Sequence, residues 1–80
     1  MTHSPKENQK QFEHSTMRLD NIIEKHMGDV HKIIQLVNLR TDRITNPIKL
    51  ESWIYVIENQ EYLNEAVQHA YNRLSNFRNS

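Results

Sequence analysis

Apolar positions recur along this chain at alternating intervals of three and four residues, the period at which one face of an α-helix meets a neighbour. In the first half the row is Phe12, Thr16, Leu19, Ile23, His26, Val30, Ile33 and Val37, with Ile22, Met27, Ile34 and Leu36 widening it. In the second half it is Trp53, Val56, Gln60, Leu63, Val67, Ala70, Leu74 and Phe77. The pattern predicts two helices of matching length, the first from Ser15 or Thr16 to near Arg40. Gly28 weakens that helix by about 1 kcal/mol relative to alanine, but the row keeps its phase across it, so one continuous helix is expected. Polar residues from Thr41 to Thr45 read as a turn that closes on Asn46-Pro47. Proline pre-sets the φ of a first helical residue, and the asparagine before it is driven out of the α region and caps the new helix. Beyond it, Glu51, Glu58 and Glu65 recur opposite the apolar row as a solvated face, and Arg73 and Arg78 lie near the carboxyl end, where the helix dipole favours cations.

Ahead of Phe12 the chain has no apolar residue after Met1. Such a stretch buries too little to offset its ordering entropy, so residues 1–15 are expected to form a mobile tail. A competing signal is Ser4, Pro5 and Glu7, which have the arrangement of a capping box with proline at the first helical position. The expected architecture is all-α: an antiparallel two-helix hairpin over residues 16–80, with Asn79 and Ser80 frayed.

At 80 residues a single core supplies only about 3–5 kcal/mol of net stability, so a partner would help. Ten Lys and Arg balance ten Asp and Glu, leaving no global field to draw nucleic acid or an anionic membrane. The apolar runs are too short to span a bilayer, and Met1 to Lys6 lacks the apolar stretch of a secretory signal. There is no cysteine, hence no disulfide or thiolate metal site. The cytoplasm is the expected compartment.

Chemistry is sparse. Among the five histidines, His26 and His31 fall on different helix faces, His3 sits in the tail, and Glu65 with His69 makes a metal site only if His14 or His26 joins them. No metal or other cofactor is expected. No Gly-rich phosphate loop, cysteine nucleophile or serine with a neighbouring base is present, so no catalytic residue is assigned. Arg40, Arg43 and the basic and aromatic residues from Tyr71 to Arg78 read as ordinary surface charge, and no nucleic-acid role is expected.

Apolar surface exceeds what a hairpin needs. Two helices cover only one stripe of each other, so Ile34 and Leu36 on the first helix and Ile54, Tyr55 and Tyr62 on the second are expected to meet a partner chain. Alone, the protein is expected to be marginally stable or a homodimer that hides Ile54 and Tyr62.

The order of these features resembles a family. A first helix carries Arg18-Leu19-Asp20-Asn21-Ile22-Ile23 and Ile33-Ile34; after Asn46-Pro47 the second carries Leu50, Val56-Ile57-Glu58, Glu61, Ala66-Val67, Tyr71 and Arg73. This is similar to the small co-chaperones of type III secretion needle subunits, over Met17 to Phe77. The resemblance implies a cytoplasmic hairpin that binds a chaperone of tetratricopeptide-like helical repeats, the pair keeping the needle subunit monomeric before export. Needle subunits are themselves short hairpins with a proline at the turn, but their strongly apolar carboxyl-terminal helix contrasts with the mixed Asn72 to Arg78. A homodimeric helical bundle with a regulatory or RNA-binding role is the third reading.

Overall fold

The computed structural model describes the backbone of residues 5–79 and the side chains of residues 13–79. These residues form four α-helices, α1 (Pro5–Lys25), α2 (Val30–Arg43), α3 (Pro47–Ile57) and α4 (Asn64–Asn79), with a 3-10 turn at Glu61–Leu63 leading into α4. The chain is all-helical there, but each expected long helix is broken once. Helix α1 starts at Pro5, within the expected tail; Ser4, the cap of that signal, and Ser80 lie outside the described residues, as does the side chain of Phe12.

The first break is local chemistry that the continuous apolar row conceals. Gly28 has φ +86°, in the left-handed region that closes helices and that a β-carbon disfavours. Asp29 follows as the cap of α2, its carboxylate accepting a hydrogen bond from the Lys32 amide at 3.1 Å. The chain therefore reverses at residues 26–29. Val30, expected in the seam, becomes the first residue of α2 and is 43% exposed.

At the next junction the cap forms as expected. The Asn46 side chain accepts from the amides of Ile48 (2.8 Å) and Lys49 (3.4 Å), and Pro47 opens α3. The second expected helix then breaks after Ile57 without glycine or proline. Gln60, a position in the expected seam, is extended (φ −108°, ψ 109°), while the Asn59 side chain donates to the Tyr55 carbonyl (3.3 Å), satisfying a group the ending helix leaves open.

Helices α1 and α4 each pack on both α2 and α3. Short α3 is thus covered from two sides and buries Leu50, Trp53, Ile54, Val56 and Ile57. This corrects the placement of Ile54: only 3% exposed, it belongs to the core and is not a free flank. Leu63, Val67, Ala70 and Leu74 on α4 and Leu19, Ile33 and Val37 on α1 and α2 are buried as their spacing predicts. Thr41 is the one polar side chain buried among the described residues. Its hydroxyl accepts from the Trp53 indole N–H at 3.0 Å and donates to the Val37 carbonyl at 2.9 Å, so α3 is tied to α2 inside the core.

Polar ties surround this core. The Arg73 guanidinium donates to the Ile44 carbonyl at the end of α2 (2.9 Å) and lies 5.2 Å from the centre of the half-buried Phe77 ring. Outside, His69 meets Asp42 at 2.7 Å and Arg78 meets Glu51 at 3.1 Å, exposed pairs that set α4 against α2 and α3 but contribute little energy. The Tyr71 hydroxyl donates to Glu58, and that bond, then burial, the Glu58 charge and Tyr55 hold the phenol above its usual range.

Two substitutions separate this fold from a continuous hairpin. Ile57→Asp, placing a carboxylate where exposure is zero, should destabilise by at least about 3 kcal/mol and abolish most helical circular dichroism. Val30→Asp, at the exposed start of α2, should change stability by no more than about 0.5 kcal/mol. Collapse of both variants would restore the unbroken first seam.

Candidate functional site

The reversal at Gly28 lays α1 beside α2 and opens a cleft between them of about 610 Å³. That is within the range of ligand-sized sites. Helical spacing supplies one wall: His14, Met17, Arg18, Asn21, Ile22 and Lys25 recur along a single stripe of α1, continued by His26. The other wall is Leu36, Leu39, Arg40 and Arg43 on α2. Ile22 also packs against the core and forms part of the floor, whereas Met17 and Leu39 are 65% and 49% exposed.

Charge in the cleft is one-sided. Arg18, Lys25, Arg40 and Arg43 line it, and among the described side chains no carboxylate does, although the chain as a whole is neutral. The acids of α1 that flank the region, Glu13, Asp20 and Glu24, follow a different stripe of the helix, and Asp42 on α2 is engaged by His69. Burial lowers the pKa of Arg40 from the ordinary arginine value, and the charges of Arg18 and Arg43 lower it further. It remains a cation at neutral pH. Its Nε is buried and has no hydrogen-bond partner among the described residues. Arg43 and Lys25 also stand in the last turns of their helices, where the dipole favours them. Arg40 stands in that last turn of α2 as well, so the dipole leaves only Arg18, in mid-helix, without such an explanation.

The five expected contact residues do not share a face. Leu36 is half-buried in the cleft wall, Ile34 packs against the edge of the core and Ile54 lies within it. Tyr55 is 65% exposed on α3, and Tyr62 is exposed in the 3-10 turn. Arg18, Lys25, Met17 and Leu39 were not among the expected contacts. Arg18 and Lys25 are seven apart, which places them on one stripe, but their meeting with Arg40 depends on the break at Gly28. Among the described residues no group of three His, Asp or Glu is placed to hold a metal, and no helix is long and apolar enough to cross a membrane.

No protein-family model, curated protein or solved structure matches this chain.

A partly buried Arg40 beside two like charges opposes folding. Arg40→Met keeps the apolar stem and removes the charge, so it should raise the thermal midpoint at low ionic strength, with the gain shrinking as salt screens Arg18 and Arg43. A midpoint lowered at every salt concentration would mean that Arg40 stabilises the fold through partners of its own.

Proposed function

We propose that this is a non-enzymatic docking protein that receives one helix of a partner chain in the cleft between α1 and α2. One observation carries the reading: an apolar floor with a cationic rim stands outside a core that is closed without it. Leu36, Met17 and Leu39 supply apolar contacts that folding leaves unused, and the guanidinium groups supply direction and register. Helix-in-groove recognition needs this combination of anchors and flanking charge.

The specific form we favour is the co-chaperone role in the cytoplasm that the resemblance to needle-subunit co-chaperones implies, with a helical-repeat chaperone as partner and the needle subunit as cargo. Leu36, an expected contact that also lines the cleft, supports it. Tyr55 and Tyr62 then belong to a separate surface, and Ile54 acts only through the fold.

Titration calorimetry with a purified helical-repeat chaperone of a secretion system tests this. Met17→Asp with Leu39→Asp should weaken binding at least tenfold, as truncation of buried anchors does, while Tyr55→Asp with Tyr62→Asp should bind as wild type. All four side chains are exposed, so both double variants should retain wild-type helicity. The reverse ranking would move the docking face to α3 and the 3-10 turn, and a wild type that binds no such chaperone would remove the co-chaperone role.

A further inference from the structure

The charge of the cleft narrows what can occupy it. We infer that the α1/α2 cleft takes an acidic amphipathic helix of a partner protein, its apolar side chains against Ile22 and Leu36 and its carboxylates against Arg18, Arg40 and Arg43. The inference rests on the docking reading and adds the sign and shape of the partner.

Three observations support it. First, an evenly charged chain concentrates cations in one cleft that no carboxylate of the described side chains lines, which suits it to a ligand that brings countercharge. Guanidinium groups are suited to it, because their planar forks bind carboxylates through two parallel bonds. Second, the apolar side chains line both walls along the helices. From His14 to His26 the α1 wall is about 18 Å long, the reach of roughly three turns of a docked helix. Third, the surroundings disfavour the other large polyanion. Among the described residues no Phe, Tyr or Trp lines the cleft, and Asp20 and Glu24 on the next stripe of α1 would repel a phosphate backbone that continued past the rim.

Fluorescence anisotropy with three labelled probes decides the matter on the full chain. The first is a designed peptide of about fourteen residues, with leucines at helical spacing and glutamates beside them. The second carries lysine at every glutamate, and the third is a single-stranded oligouridine of similar length. The glutamate peptide should bind, lose affinity as salt is added, and exceed the lysine peptide by at least tenfold. Arg18→Gln with Arg43→Gln, both at exposed positions, should weaken it about tenfold while leaving the circular dichroism spectrum unchanged. Equal or tighter binding of the lysine peptide overturns the acidic partner but leaves a docking groove. Tighter binding of the oligouridine overturns both in favour of a nucleic-acid surface. A wild type that binds no probe, or that excludes the peptides by pairing with a second copy of itself, also overturns the proposal. An Arg18/Arg43 variant that binds the glutamate peptide as wild type would place the site outside the cleft.

Discussion

The hydrogen bond from the Trp53 indole to the Thr41 hydroxyl is the constraint on which the arrangement of the four helices depends. A tryptophan that is 1% exposed carries the largest apolar surface of the core and one polar hydrogen that has to be satisfied there. Thr41 satisfies it at little local cost, since its own hydroxyl proton is absorbed by the Val37 carbonyl one turn earlier. The bond ties α3 to α2 at one point inside the core, with Trp53 on the buried face of α3. Leu50, Trp53 and Ile57 face inward on the same helix, and α1 and α4 close its two sides.

The same packing determines what α2 presents on its other face. With Ile33, Val37 and Thr41 turned into the core, helical periodicity turns Leu36, Leu39, Arg40 and Arg43 toward α1 and solvent. Helix α1 commits Leu19 fully to the core and Ile22 and Ile23 in part, so it cannot also cover those residues. The cleft follows from two helices meeting over one stripe while their neighbouring stripes diverge. Its cations add nothing to the core and repel one another, which opposes folding. Sites that bind a partner commonly carry such a cost.

Much of this was legible in the sequence where a single residue type imposes a backbone state. Asn46-Pro47 caps and opens α3 as its chemistry requires, and the row Leu63, Val67, Ala70, Leu74 is buried as its spacing predicts. The apolar period misled where it ran unbroken through a turn. Gly28-Asp29 carried a stop and a cap, but the phase of Val30 and Ile33 suggested continuity; at Gln60 no glycine or proline marked the second break. Ile54 was misplaced for a related reason. A flank in a two-helix hairpin is interior once two further helix faces arrive. Leu36 was an expected contact, but Arg40 and Arg43 read as ordinary surface charge, because their convergence with Arg18 and Lys25 depends on the reversal at residues 26–29. It is a property of the fold, and no run of residues encodes it.

Hydrogen exchange of the Trp53 indole, followed by NMR on indole-labelled protein, reports directly on the bond to Thr41. If the indole N–H is locked on Thr41 inside the core, it should exchange only when the whole domain unfolds, with the same free energy as the slowest backbone amides of α2 and α3. In the Thr41→Val variant that protection should fall together with global stability. Exchange of the wild-type indole on the fast timescale of a solvent-exposed group, while the backbone of α3 stays protected, would mean that Trp53 is not held on Thr41 inside the core.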